Sequence, residues 1–384
     1  MKKVHLMIYD LGAGHRSTAN ALKEVIEKRK LSWEIKIVDV FKEIFGTTTP
    51  HYIYNNFVLK KKWARLINDS LSVPFFKQQI RFNHNAWQKL LRNYWRQHQP
   101  DMVVSLLPLV NRVLYESLQA ELPGTPFVTS MTDFADSPPN FWIEKQEQYL
   151  ICPSEKAVHQ AESCGYPENR IFRTSGIIIQ PRFNQPITID RYIQRQRLGL
   201  DPNLPTGLVI FGSHGSKEMI EITESIEQSS LKLQLIFICG RNEKLATDLQ
   251  NRQSRLPKFV ENFTTQIPYY MHLSDFFIGK PGSVGISEAV AMNLPVITEC
   301  NALTLHQEKP TTEWLASNEF GIVVNNFRKD ITQAIAQLIE PENFARYQAN
   351  VRAYNNQAVF EVADILAGIL ESQTTHNRLV AQRA

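Results

Sequence analysis

The chain has 384 residues, 43% of them apolar and 21% charged, enough to bury two cores and too apolar for a disordered chain. No apolar run approaches the ~18 residues of a membrane-spanning helix, which excludes an integral helical membrane protein. The net charge is only +4, and the four cysteines (Cys152, Cys164, Cys239, Cys300) lie far apart with no C-x-x-C pair. That argues against a zinc site or a disulfide scaffold and suits a reducing cytoplasm.

The start, MKKVHLMIYDLGAGH, is basic and then apolar, but Asp10 cuts the apolar run short. It reads as a first β-strand and not as a signal peptide. Short β-rich runs then alternate with helical stretches, the pattern of parallel sheets. The strands expected in the first half are 4–9, 34–40, 101–107, 126–132, 148–152 and 170–178. A helix follows the first strand, with Ala19, Leu22 and Ile26 on one face and Glu24 and Lys28 outside. Residues 180–190 carry Pro181 and Pro186 and read as a linker. A second series follows at 207–212, 234–239, 258–263, 276–278, 295–298 and 322–324. The chain is therefore α/β, with Rossmann-like domains expected at 1–180 and 181–342. A helical segment, 343–384, is expected to pack back toward the first domain, its polar tail frayed from Ser372.

The small net charge hides an asymmetry. Residues 56–98 hold nine basic side chains (Lys60, Lys61, Lys62, Arg65, Lys77, Arg81, Lys89, Arg92, Arg96) against Asp69 alone, a local charge of +8. Aromatics are interleaved with them: Phe57, Trp63, Phe75, Phe76, Phe82, Trp87, Tyr94 and Trp95. Exposed, such a stretch suits an anionic bilayer or a nucleic acid. Folded, it is equally a pair of amphipathic helices with solvated lysines and core aromatics. No nucleic-acid module surrounds it.

Two glycine-rich turns carry candidate chemistry. After the first strand, LGAGHRSTA places Gly12 and Gly14 where a tight turn opens a helix, whose free N–H groups attract anions. The turn lacks the third glycine of a dinucleotide fingerprint and is no G-x-x-x-x-G-K-[ST] loop. His15 is either a helix-capping surface residue or a general base, its reference pKa near 6.5 suiting the latter. In the second half FGSHGSKE repeats the arrangement with Gly212, Ser213 and Gly215. Further on, GKPGSVGISEAVAMNLPVI sets Gly282 and Ser283 before a helix that carries Glu288. Amides at that helix start would face an anion and a carboxylate inside the helix would suit a ribose diol; the other reading is a plain βαβ crossover with an exposed glutamate. Gln307 and Glu308 follow in a polar loop.

Taken together, LGAGHRSTANAL, VDVFKEIFG, HQPDMVVSLLPL and VTSMTDFADSPPNFW in the first half resemble the monogalactosyldiacylglycerol synthase family. With FGSHGS, ENFTTQIPYYMHLSDFFIGKPGS and HQE in the second, the whole chain resembles the related inverting glycosyltransferases of GT-B fold. These include the N-acetylglucosaminyltransferase of peptidoglycan precursors. The resemblance covers about residues 1–340 and implies two Rossmann-like domains facing a central cleft. It implies a UDP-sugar donor held by Gly14, Ser213, His214, Gly215, Gly282 and Ser283 around the diphosphate. Glu288 would hold the ribose, Phe263 and Ile267 the uracil, and Gln307 and Glu308 the sugar hydroxyls. It makes His15 the first choice for the base; Asp133 is the second choice, or orients the imidazole. Helix N-termini would stabilise the leaving diphosphate with no metal ion, and no D-x-D motif is present.

The chain departs from the lipid galactosyltransferases at Ser137–Asn140, at His214 and at Lys309–Thr311. The basic stretch lies where those relatives meet the bilayer, which makes Lys60, Lys61, Lys62, Trp63, Arg65, Phe75 and Phe76 membrane contacts. The expectation is a cytoplasmic enzyme, peripheral on an anionic membrane, that glycosylates diacylglycerol and binds no nucleic acid. A polyprenyl-linked or soluble acceptor, or a silent nucleotide-sugar-binding protein, is the alternative.

Overall fold

The computed structural model describes residues 1–9, 14–47 and 73–381. Among these, two sheets of six strands form, every strand pair in them parallel. The chain divides into two compact units. One comprises Met1–Pro181, Leu305–Gln307 and the chain from Gln357 on; the other comprises Arg182–Thr304 and Glu308–Asn356.

The first unit contains β1 (Lys2–Ile8), β2 (Trp33–Asp39), β3 (Met102–Ser105), β4 (Phe127–Ser130), β5 (Tyr149–Cys152) and β6 (Ile171–Arg173), in the order β2-β1-β3-β4-β5-β6. Val4, Leu6, Met7 and Ile8 of β1 are all fully buried. A strand apolar on both sides is what a parallel sheet covered on both faces requires. α1 (Gly14–Lys28) buries Ala19, Leu22, Val25 and Ile26, while Lys28 pairs with Glu24 at 2.6 Å outside. α2 (Val73–His98) and α3 (Asn111–Glu121) seal the other face with Leu91, Trp95, Val113 and Leu114 against Met7, Val103 and Phe127. α4 (Glu155–Ser163) follows β5, capped by Ser154 Oγ on the Ala157 amide at 3.1 Å. The β-rich run 170–178 gives only the short β6, because Thr174 turns the chain by bonding the Gly176 carbonyl at 3.0 Å.

The second unit contains β7 (Thr206–Ile210), β8 (Gln234–Ile238), β9 (Lys258–Glu261), β10 (Phe276–Gly279), β11 (Val296–Glu299) and β12 (Gly321–Val324), in the order β12-β11-β10-β7-β8-β9. Its helices are α5 (Arg191–Arg197), α6 (Glu218–Glu227), α7 (Glu243–Asn251), α8 (Ile267–His272), α9 (Ser283–Ala291), α10 (Lys309–Ser317), α11 (Phe327–Ile339) and α12 (Pro341–Ala353). α5 is locked down by a charge cluster around buried Arg195. Asp275 takes Arg191 at 2.6 Å and Arg195 at 2.8 Å, and Arg195 is spent further on the Leu273 and Pro202 carbonyls. An ion cluster of this kind fixes geometry more than it adds stability.

The expected C-terminal segment is not one piece. Tyr354 takes an extended conformation and stops α12, whose Tyr347 and Val351 are buried in the second unit. The return to the first unit therefore begins at Gln357, not at 343. There α13 (Ala358–Ala381) sets Val359, Val362, Ala363, Leu366, Ile369 and Leu370 in one core with Val4, Leu22 and Ile26. It extends to Ala381, and no Gly or Pro interrupts 372–381. Among the described residues no helix is long and apolar enough to cross a membrane.

Candidate active site

In an open parallel sheet, ligands bind beyond the carboxyl ends of the strands, where the strand order reverses. In the first unit that point lies between β1 and β3. His15, second residue of α1, stands there. Its Nδ1 lies 2.7 Å from the Leu106 carbonyl, just past β3, and 3.5 Å from Thr132 Oγ1, just past β4. A carbonyl only accepts, so Nδ1 carries the proton and the neutral ring keeps its lone pair on Nε2. Leu106 is itself pinned, its amide donating to Met7 of β1 at 2.9 Å. The site-facing tautomer is thus set by main chain from two adjacent strands.

Asp133 follows Thr132, and its Oδ2 accepts the indole N–H of fully buried Trp142 at 2.9 Å. That bond depends on a residue the sequence reading passed over. The buried Asp136 carboxylate gathers the amides of Asn140, Phe141 and Trp142 at 2.7, 2.8 and 2.6 Å. Gln160 bonds both main-chain groups of Asp136, at 2.8 and 3.0 Å. Asp136 therefore holds the 137–142 loop and, through Trp142, Asp133. The available signal was an aspartate directly before Ser-Pro-Pro-Asn, a turn-initiating composition. Gly14 begins α1, and Gly12 lies outside the described residues.

In the second unit the order reverses between β7 and β10, and both remaining glycine turns leave the sheet there. The turn after β7 holds Gly212 at φ +76° and Gly215 at φ +58°. It rests on the turn after β8, where Gly240 passes so close that a Cβ would sit 2.3 Å from the Ser213 carbonyl. Arg241 donates its amide to that carbonyl at 2.8 Å, and Asn242 Nδ2 reaches the His214 carbonyl at 3.2 Å. His214 itself is exposed, its Nδ1 3.0 Å from Ser213 Oγ. At the end of β10, Gly279 has no room for a side chain beside the Ile210 carbonyl, which keeps β7 and β10 tight. Gly282 is the N-cap of α9 and Ser283 its first residue, so the positive end of the helix opens at the end of the sheet.

Glu288 lies within α9, half-buried; burial pushes its carboxyl up to about 8, the Arg182 guanidinium partly opposing this. Arg182 is anchored on the Thr265 carbonyl at 2.7 Å. Phe263 is 53% exposed, with the Arg241 guanidinium 5.1 Å from its ring centre, and Ile267 starts α8. An exposed ring backed by a cation is a ready stacking surface. Glu308 directly precedes α10 and pairs with Lys280 at 3.4 Å, while Gln307 lies before it, half-buried. Arg182, Arg241 and Lys280 were not singled out from sequence, since a cation beside a turn has no spacing signature.

Of the membrane-contact residues, Lys60, Lys61, Lys62, Trp63 and Arg65 lie outside the described residues, and Phe75 and Phe76 fall in the first turns of α2, where side chains are not described. The described remainder of the basic stretch follows the amphipathic-helix alternative. Its aromatics are mostly core: Trp95 is fully buried with its indole N–H on Ser117 at 2.9 Å, Trp87 stacks on Phe45 at 4.3 Å, and Tyr94 bonds His5 at 3.0 Å. Phe82 alone among these described rings stands in solvent, at 86% exposure. Arg92 and Arg96 clamp Glu121. α2 is an amphipathic helix whose inner face needed the rings.

The chain is similar to known proteins in both halves. Residues 15–179 match the family described as Monogalactosyldiacylglycerol (MGDG) synthase, and residues 206–309 match the Glycosyltransferase family 28 C-terminal domain. Probable monogalactosyldiacylglycerol synthase 2, chloroplastic, of Oryza sativa subsp. japonica is 25% identical across 98% of this chain and 83% of its own length. Monogalactosyldiacylglycerol synthase 3, chloroplastic, of Arabidopsis thaliana is 25% identical across 97% and 82%. Among solved structures, Acinetobacter baumannii MurG superposes with a TM-score of 0.64 at 13% identity, covering 96% of this chain and 100% of that one. WaaG, a glycosyltransferase involved in lipopolysaccharide biosynthesis, gives 0.56 at 16% identity, covering 95% and 100%. The chain is a glycosyltransferase of GT-B fold. More narrowly, its first half matches the MGDG synthase family model and the chain resembles the MGDG synthases along its length.

Proposed function

We propose that this protein transfers a hexose, galactose first among them, from a UDP-sugar to diacylglycerol with inversion at the anomeric carbon. The observation that carries the reading is His15, inside the MGDG synthase match, with its Nδ1 proton committed to the Leu106 carbonyl. Nε2 is then the basic nitrogen. It takes the acceptor hydroxyl proton as the oxygen attacks the anomeric carbon from the face opposite the leaving group. The Leu106 carbonyl, kept at 2.7 Å, stabilises the imidazolium that forms. Asp133, already engaged by Trp142, contributes negative charge beside the site and needs no proton transfer of its own. In the second unit the turn at 212–215 and the α9 N-terminus receive the diphosphate, with no metal ion required for its departure. Glu288 takes the ribose, Phe263 the uracil face, and Gln307 with Glu308 the hydroxyls of the transferred sugar.

Diacylglycerol is uncharged and lives in the bilayer, so the enzyme works peripherally at a membrane surface. The excess of +8 in residues 56–98 favours an anionic one, at about 1 kcal/mol per basic residue near the surface. The test offers the purified protein labelled UDP-galactose, UDP-glucose and UDP-N-acetylglucosamine, with vesicles containing diacylglycerol, with or without an anionic lipid. A labelled monohexosyl lipid that needs the anionic lipid establishes the reading and names the sugar. Product formed equally well on neutral vesicles removes the electrostatic docking. UDP-sugar binding with no labelled lipid removes diacylglycerol and moves the acceptor to polyprenyl-linked or soluble molecules.

A further inference from the structure

His15 and Asp133 depend on different loops. Leu106, whose carbonyl holds His15, lies in the loop that follows β3, and Asp133 lies in the loop that follows β4. Thr132 of the second loop also approaches His15, at 3.5 Å. The ladder between the two strands ends at the pair Ser105 and Thr129, before either loop begins. Past it, the Leu109 amide donates to the Phe141 carbonyl at 2.7 Å. Asn111, fully buried at the start of α3, extends the contact. Its Nδ2 donates to the Trp142 carbonyl at 3.1 Å, and its main-chain carbonyl receives Gln146 Nε2 at 3.3 Å. The Trp142 carbonyl only accepts, so the amide nitrogen must face it. Oδ1 is then left for the hydroxyl of Ser105, the last residue of β3, at 2.6 Å. One side chain thus reaches from the end of β3 to the residue whose indole engages Asp133.

We infer that Asn111 is a positioning residue: its amide locks the loop that holds the base to the loop that holds Asp133, and it acts on Asp133 through Trp142. This rests on the roles given to His15 and Asp133 above and adds to them a residue behind the site. Two groups that serve one acceptor hydroxyl must keep their spacing to about 0.5 Å, and a displacement near 1 Å costs roughly 10²-fold in rate. A buried carboxamide engaged at both ends supplies that constraint. An apolar side chain of the same branched shape fills the site but takes the donor away from the Trp142 carbonyl.

The experiment labels the indole nitrogens of the full chain and follows their N–H resonances, alongside the kinetics of sugar transfer to diacylglycerol vesicles. Trp142→Phe assigns the Trp142 resonance by its loss, and melting curves check that each variant folds. Asn111→Leu should move that resonance toward its position in Asp133→Ala and speed its hydrogen exchange by about tenfold or more. In the same variant kcat should fall roughly 10- to 100-fold, with KM for the UDP-sugar held within about twofold. In the Trp142→Phe background the substitution should cost less than about threefold, because the route to Asp133 is already cut. A merely structural role gives no such non-additivity. An indole resonance that ignores Asn111, losses that multiply in full in the double variant, or kcat and donor KM failing together overturn the inference. Should Asn111→Leu fail to fold, Asn111→Asp carries the same readouts above neutral pH, where its carboxylate sets an acceptor against the Trp142 carbonyl. If the wild type transfers no sugar, the transfer reading fails, and the indole resonance alone then upholds or overturns the lock.

Discussion

At the scale of single residues, two histidines on neighbouring elements are put to opposite uses. His15 is wired through Nδ1 to a main-chain carbonyl. His15→Ala should cut transfer by roughly 10²–10⁴-fold while leaving UDP affinity within about twofold, as single-turnover assays and calorimetry will read. His5 lies inside the fold, 4% exposed, with its Nδ1 receiving the Tyr94 hydroxyl at 3.0 Å. Burial first, then the charges of Lys36, His98 and Lys3, hold its pKa down to about 4. A histidine depressed in the folded state binds its proton more readily when unfolded. Its stabilising share is present above about 6.5 and is lost as pH falls toward 4, on the order of 3 kcal/mol. Melting temperature should therefore drop across that window, and His5→Gln should flatten the slope. Glu288 has the opposite sense: its carboxyl is pushed up to about 8, so it is costly to ionise in the fold as pH rises from about 4.5 to 8. If the ribose diol needs both carboxylate oxygens as acceptors, UDP affinity should rise through pH 8, and Glu288→Gln should abolish that rise. An unchanged pH profile in Glu288→Gln would remove the carboxylate from ribose binding.

At the scale of elements, the strands and glycine turns were legible because their signals are local. Runs such as VHLMI and LVIFG are apolar on both faces, and each ends at glycine, proline or a polar cluster. What sequence did not disclose depends on contacts between distant segments. Asp136 is one more acid in an acidic loop until the chain folds back and presents three amides to it. Lys280 is an ordinary lysine until the fold sets its stem beside Gly212 and Gly282. Trp87, Tyr94 and Trp95 sit among basic residues in sequence but lie on the opposite side of a helix from them, a distinction set by the 3.6-residue period. Turn geometry is testable at this scale. Gly240 has φ +60° and no space for a Cβ beside Ser213, so Gly240→Ala should displace the 213–215 turn. The cost should be at least ~1–2 kcal/mol in melting experiments, with a matching loss of UDP affinity. Retention of full UDP affinity in that variant would dissociate the turn from the donor.

At the scale of the whole molecule, the two sheets reverse order at different places in their series, β1/β3 in one and β7/β10 in the other. Each reversal carries one part of the proposed chemistry, the base in the first unit and the donor groups in the second. The first unit also draws on the far end of the sequence, since α13 fills its core with Val359, Val362, Leu366, Ile369 and Leu370. Full burial of such side chains is worth roughly 1.5–3 kcal/mol each, so truncation after Asn356 should leave the first unit unable to fold. Limited proteolysis of the truncated chain should digest the first unit and spare Arg182–Asn356; equal survival of both would refute this. During synthesis the same arrangement reverses the usual order of events, in which the N-terminal domain folds first. The ribosome delivers the second unit nearly whole before it delivers the helix that closes the first. The early half, with its basic stretch, must therefore wait, open and apolar, in the care of whatever holds nascent chains, and the base of the proposed reaction is assembled last.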